Sequence, residues 1–232
     1  GAMTKIGANK LFVSGANTYT GGTTVNAGTL AAGVASVANI SGAFGNNSAV
    51  TMGNVAGAIL DITGFNTQIG SITGGGTTGG NVTLGAATLT TGGDNTSPAT
   101  YAGVISGTGG FTKIGSGTQI LSGANSYSGE TTINGGTLVA NRVNNIDNVT
   151  TSALGNPQNA HNITVNNGGT LNFAQGDTFG SAVTTVASTL VINAGGVVTN
   201  TAGNFTTLGP VALNGGTLTT AGGAVGGYQS YS

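Results

Sequence analysis

The sequence predicts an all-β fold, read as a single elongated β-solenoid over residues 4–232. Three observations carry that reading. One long segment recurs at a fixed offset, short runs alternate apolar with small polar residues, and Gly or Asn pairs punctuate those runs at close intervals.

Residues 4–30, TKIGANKLFVSGANTYTGGTTVNAGTL, align without a gap to residues 112–138, TKIGSGTQILSGANSYSGETTINGGTL, at an offset of 108. Internal similarity of this length marks a repeat architecture, in which each unit buries its apolar face against a neighbour. Similarity resumes where AFGNN from Ala43 meets ALGNP from Ala153 and GAILDI from Gly57 meets GTLNF from Gly169, the offset drifting slightly. The chain therefore reads as about two long repeats, 4–111 and 112–232. Gly1-Ala2-Met3 reads as an appended cloning remnant.

In chain order the strand-like runs are KLFVSG, TTVNAGTL, AILDITG, NVTLGAATLT, TQILSG, NITVNNGGTLNF, STLVINAGG and PVALNGGTL. Each supplies a strand of about 3 to 6 residues with one face inward, the period-two signature of a half-buried strand. Asn-Gly, Gly-Gly and Ala-Gly pairs between them supply the positive φ that sharp corners need. Helical spacing is almost absent; the exceptions to watch are Ala31 to Ile40 and Val143 to Leu154, where Gly thins out.

Two other architectures compete. Gly- and Ser-rich chains are often disordered, but disorder usually comes with high net charge, and this chain carries -1 with Val, Ile and Leu at short, regular spacing. An antiparallel sandwich also has short strands and turns, yet a chain with 7 Phe, 5 Tyr and no Trp has few bulky residues to fill a gap of about 10 Å between sheets. A solenoid has a narrower interior that Val, Ile, Leu and Ala can fill. Coils on the order of 20 residues would give about ten to twelve levels, a rod of roughly 50 Å, and Thr and Asn ladders along its axis.

Composition also excludes function classes. Charged residues make up 4% of the chain, against roughly a quarter in ordinary soluble proteins. With Lys5, Lys10, Lys113 and Arg142 as its only cations, the chain lacks the electrostatic term that dominates binding to nucleic acid or an anionic membrane. No apolar run approaches the roughly 20 residues of a helical membrane span, and no signal-peptide pattern opens the chain. Zero cysteines suits either a cytosolic or an exported protein.

The strings VSGANTYTGGTTVNAGTL and LSGANSYSGETTINGGTL, with GGDNTSPATYAGVISGTGGFTKIGSGTQILSG from Gly92, closely resemble the autotransporter-associated β-strand repeat of Gram-negative type V secretion. The ALGNP and ITVNNGGTLNF segments resemble the weaker links between such repeats. The resemblance implies a right-handed parallel β-helix passenger, exported through the inner membrane and then through a C-terminal outer-membrane barrel to the cell surface. Neither a signal peptide nor a barrel is seen, so the chain is expected to be an internal piece of a longer protein. The absence of Cys fits that route.

Catalysis needs convergent groups, and few are available. His161, the single histidine, stands beside Asn162 in an expected turn, and a triad with Asp147 or Asp177 has no G-x-S-x-G elbow to support it. Asp61, Asp94, Glu130, Asp147 and Asp177 are scattered, with Asp61 in a strand facing solvent and the others at corners. Gly74 to Gly79 matches G-x-G-x-x-G without a following helix and reads as a corner. The N-x-S/T triplets at Asn81 and Asn148 follow from composition. No cofactor, no metal site and no small-molecule substrate is expected.

One stretch breaks the glycine rhythm. Residues 141–162 contain Arg142, Asp147, Pro157 and His161 and read as a lateral loop. Such a loop either caps a corner or projects to bind a partner, with Arg142, Asp147 and His161 as the contact candidates. Tyr19 and Tyr127 occupy equivalent repeat positions, which points to a shared structural role. The first functional expectation is a stalk and folding or secretion-promoting segment of an adhesin-like passenger. The second is a solenoid surface that itself binds a host receptor, a matrix component or another copy, for which an exposed coil end would serve. Ice binding is a third class, suggested by Thr88-Leu89-Thr90 and Thr217-Leu218-Thr219, although their spacing is irregular.

Overall fold

The computed structural model describes residues 1–142, 150–176, 186–202, 206–220 and 225–226. Among these residues there is no helix, and strands of two to five residues stack in parallel ladders, the arrangement of a parallel β-solenoid.

Three faces rotate along the chain. Face 1 stacks Met3–Lys5, Thr23–Val25, Val50–Met52 and Ile72–Gly74, passes through single bridges at Tyr101, and continues as Thr118–Leu121, Gly136–Ala140, Gly169–Phe173, Val197–Asn200 and Thr217–Thr220. Face 2 stacks Leu11–Val13, Thr29–Ala32, Ile59–Asp61, Asn81–Thr83 and Ile105–Ser106. Face 3 stacks Thr67–Gln68, Leu89–Thr91, Phe111–Lys113, Thr131–Ile133, Asn162–Val165, Thr189–Asn193 and Val211–Asn214. Ten levels on face 1 at about 4.8 Å each give a ladder of about 43 Å, close to the expected rod.

Coil length is less uniform than expected. On face 1 the register steps from Thr118 to Thr137 and then from Thr137 to Thr170, so the second of these coils is much the longer. The extra residues of the longer coil lie between the strands Gly136–Ala140 and Asn162–Val165.

Alternation sets the core. Leu30, Leu60, Val82 and Ile105 are in register on face 2 and fully buried; Gly169–Phe173 alternates buried and partly buried along its length. Burying each such side chain contributes about 1.5–3 kcal/mol, which offsets the entropy lost by a glycine-rich chain. The outward positions make threonine rows: Thr4, Thr24, Thr51 and Thr73 on face 1, and Thr90, Thr112, Thr132 and Thr164 on face 3. Each short strand offers one outward residue per level, so these rows are single file.

Neither candidate helix forms among the described residues. Ala31 and Ala32 end the strand Thr29–Ala32, and the following residues make a turn closed where the Val37 amide donates to the Ser41 carbonyl at 2.8 Å. That turn bonds the uncovered edge of face 3: the Ser36 amide donates to the Asn66 carbonyl at 2.9 Å and the Gln68 amide to Ser36 Oγ at 3.0 Å. Edge pairing outweighs weak helical propensity here. Residues 143–149 lie outside the described residues, and Ser152 forms antiparallel bridges to Asn125 and Gly155.

The two copies of the repeat do not share faces. Met3–Lys5 lies on face 1, whereas its counterpart Phe111–Lys113 lies on face 3; Thr29–Ala32 lies on face 2 and its counterpart within Gly136–Ala140 on face 1. From Met3 to Phe111 the chain passes face 1 at Thr23, Val50, Ile72 and Tyr101 and then advances two faces. The offset between the copies therefore spans four turns and two-thirds of another.

Candidate functional site

The residues that the two copies share most closely form one buried corner twice. Lys113 occupies an inward register position between Thr91 and Ile133. Its Nζ donates to the carbonyl oxygens of Ile114, Gly115 and Gly135 at 2.5, 3.1 and 3.2 Å. Lys5 does the same with Ile6, Gly7 and Ala27 at 3.0, 2.6 and 3.0 Å. Each ammonium thus ties the turn that follows its own strand to the turn one coil further on, satisfying carbonyls that the tight corner leaves without ladder partners. Burial pushes the Lys113 ammonium down to about 8, with the charge of Asp94 acting in the opposite direction.

The second shared element is Asn-x-Tyr. The Asn125 amide donates to the Ser152 carbonyl at 2.9 Å, and Nδ2 donates to the Ala153 carbonyl at 2.8 Å. Its Oδ1 accepts the Ile105 amide at 2.8 Å, so the side chain continues face 2 where no strand forms. The Tyr127 hydroxyl lies 2.7 Å from Thr131 Oγ1 and its carbonyl accepts the Asn156 amide at 2.9 Å. Asn125, Tyr127 and Thr131 are fully buried. In the first copy Asn17 Nδ2 donates to the Ala43 carbonyl at 2.9 Å, the Tyr19 hydroxyl lies 2.8 Å from Thr23 Oγ1, and the Asn46 amide donates to the Tyr19 carbonyl at 2.8 Å. The tyrosines have the shared structural role that their alignment implied.

The candidates of the expected lateral loop are not gathered into one surface among the described residues. Arg142 Nη1 donates to the Thr151 carbonyl at 3.3 Å across the base of that stretch. Asp147 lies outside the described residues, as does Asp177. His161 is 8% exposed. Its Nδ1 stands 2.9 Å from the Asn159 carbonyl and 3.1 Å from Ser188 Oγ on the next coil, while buried Nε2 has no partner in hydrogen-bond geometry. Burial lowers its pKa, against the backbone of Asn159 and Leu154 and the charge of Glu130. The ring faces the interior and pins residues 157–161 to the next coil.

Other titratable groups stand apart. Asp61 faces outward and meets Lys10 at 2.7 Å, with the Lys10 ammonium 4.6 Å from the Phe12 ring centroid. Asp94 accepts from Ser71 Oγ at 2.8 Å and from the Thr96 amide at 3.0 Å, a corner turn. No group of three His, Cys, Asp or Glu that could hold a metal occurs among the described residues. Gly76 to Gly79 forms a turn whose Thr78 and Gly79 amides are both taken by Asn54 Oδ1, at 3.0 and 3.2 Å.

Sequence reasoning missed the buried lysines. A lysine on the apolar phase of a strand, repeated without change at Lys5 and Lys113, was the available signal.

Residues 3–32 and 111–140 match the family model described as the passenger-associated-transport repeat. These spans hold the buried lysine and the Asn-x-Tyr pair of each copy and end at Ala32 and Ala140. The chain is also 47% identical over 126 residues to the protein named Adhesin BmaC autotransporter of Brucella suis biovar 1 (strain 1330). The two matches together support an autotransporter passenger segment. That similarity indicates export through the outer membrane and exposure at the cell surface. The match covers 54% of this segment and 4% of the length of the Brucella relative. No solved structure matches the segment.

Proposed function

We propose that this passenger segment is a non-catalytic stalk and folding element of a surface-displayed adhesin. One observation carries the reading: inward polar residues that recur in both copies bond the backbone of neighbouring coils. Lys5, Lys113, Asn125, Tyr127, Thr23 and Thr131 are all buried, and they close corners and satisfy backbone groups between successive coils. In this reading the long repeats, 4–111 and 112–232, are the units that lengthen the rod and add coil-stacking energy during folding outside the cell. The adhesin assignment rests on the name of the Brucella relative.

A second reading makes the surface itself adhesive. It is favoured by the exposed apolar side chains Val37 and Ile40 and by the threonine rows. The candidate partners are a host receptor, a matrix component or another copy of the chain.

The two readings separate in the parent protein in its native host. Deleting Thr4 to Phe111 brings Thr112 to the place of Thr4 in the parent and keeps the TKIG run intact. The stalk reading expects surface display to fall while each displayed molecule adheres normally. Unchanged display with adhesion lost per molecule overturns it in favour of the adhesive surface.

A further inference from the structure

We propose that Gln119 is a key that seats the second copy of the repeated segment on the preceding coils, by supplying Ile72 with the peptide group that the coil between them withholds. In a parallel ladder a residue turns its own amide and carbonyl to one neighbouring strand, while the residues before and after it serve the other. Ile72 stands in register with Val50, whose amide donates to the Ser71 carbonyl at 2.7 Å. The amide and carbonyl of Ile72 itself therefore face the coil that follows. Gly74, two residues on, faces the same way. Its amide donates to the Thr100 carbonyl at 3.3 Å and its carbonyl accepts the Ala102 amide at 2.8 Å, on either side of the bridge at Tyr101.

The same pattern one step back calls for Ala99 opposite Ile72, with the Pro98 carbonyl and the Thr100 amide as partners. Ala99 is instead exposed. The Ile72 amide donates to Gln119 Oε1 at 3.2 Å, and Gln119 Nε2 donates to the Ile72 carbonyl at 2.9 Å. The carboxamide thus reaches past the Tyr101 level to a residue 47 positions away in the chain, and makes both bonds that a backbone unit would make. Ile72 and Gln119 are buried, so bulk water offers neither group a substitute. On the other side of the gap the Ser97 hydroxyl accepts the Thr118 amide at 2.9 Å, a second side chain standing where backbone is missing.

The alignment points the same way. At the offset of 108 the counterpart of Gln119 is Leu11, which occupies the outermost strand of face 2 and pairs with Leu30. No gap of this kind stands beside it among the described residues, and the position is apolar. Where the second copy meets a coil that gives face 1 a single ladder residue, the position carries an amide. Gln fits because one planar group at the end of a short stem holds both an acceptor and a donor, whereas ionised Glu holds only acceptors and Met has no strong one of either.

The rival explanation is that Gln119 only fills volume and that Ile72 is served without it. In the full chain, Gln119→Met keeps the stem and removes both bonds to Ile72. Native-state hydrogen exchange of this variant should show the Ile72 amide speeded by roughly ten-fold relative to the amides of Leu30 and Leu171. Gln119→Glu adds a test that volume alone does not move. Its carboxylate accepts the Ile72 amide but opposes the Ile72 carbonyl, whereas the protonated acid donates to that carbonyl as the amide does. Burial raises the pKa of a carboxyl group. The melting temperature of the Glu variant should therefore lie about 4–10 °C below the parent near pH 8 and within about 3 °C of it near pH 5. Measuring the parent at the same two pH values cancels the titration of Asp94, His161 and the other native groups. The proposal is overturned if Gln119→Met speeds Ile72 no more than Leu30 and Leu171, or if Gln119→Glu lies equally far below the parent at both pH values.

Discussion

Replacing Lys113 by Met tests whether the buried corner holds the solenoid together. Met preserves the unbranched apolar stem at a position that is 1% exposed, so the change isolates the ammonium. Three carbonyls, at 2.5, 3.1 and 3.2 Å, lose their donor. Hydrogen bonds to a charged group contribute about 1.5–3 kcal/mol each, and an orphaned buried acceptor costs about 1–3 kcal/mol. Against this, the variant no longer desolvates an ammonium, a penalty of several kcal/mol. The balance is a loss of about 2–4 kcal/mol, or roughly 5–15 °C in melting temperature for a chain of this size. The pH dependence adds a second check. Burial sets the folded value at about 8, below the roughly 10.4 of an unfolded lysine. Between those values the unfolded chain holds more protons, so stability from this group is full above the unfolded value and is lost as pH falls through about 8. Urea titrations of parent and variant at pH 7 and pH 10 should therefore show the larger difference at pH 10. A difference below about 1 kcal/mol at both pH values, or a larger one at pH 7, refutes the reasoning.

Three further outcomes are expected. Gly155→Ala should cost more than about 3 kcal/mol by denaturant titration, and Gly168→Ala only about 1 kcal/mol, because φ is positive at both but a Cβ at Gly168 meets nothing within 4 Å. His161, whose pKa is lowered by burial, contributes stability that is full above the unfolded value near 6.5 and is lost as pH falls through the lower folded value; His161→Gln should remove that acid-side slope from the melting temperature. Asn166→Leu should cost about 1–2 kcal/mol in thermal melts, since Asn166 donates to Asn134 Oδ1 and accepts from Asn193 Nδ2, both at 2.7 Å, in a ladder that Asn214 extends.

Much of the fold was legible because its signals are local. Strand alternation in TTV and GTLNF and glycine at the corners reappear as buried-exposed alternation and positive φ at Gly28, Gly45 and Gly168. The site was legible only as residues. Tyr19 and Tyr127 could be paired by alignment, but the partners that define their corner, Asn46 and Asn156, come from one coil further on. His161 looked like a turn residue because nothing local reveals Ser188 or the coil that covers the ring. Lys5 and Lys113 could be read only as cations, because a lysine is rarely buried without a carboxylate and carbonyl oxygens at tight corners leave no mark in the sequence.

The sequence by itself determined that the chain coils, that one segment recurs within it, and that Tyr19 and Tyr127 share a structural role. Those properties follow from alternation, turn chemistry and self-similarity, each readable within a short window of chain. Only the tertiary structure decided which face each copy occupies. Alternation distinguishes inside from outside but not one face of a three-sided coil from another. Coil length varies as loops leave the ladder, from the short step between Thr118 and Thr137 to the long one between Thr137 and Thr170. Face assignment is settled by hydrogen-bond register between coils, and that register carries one copy of the repeat to the next through four and two-thirds turns.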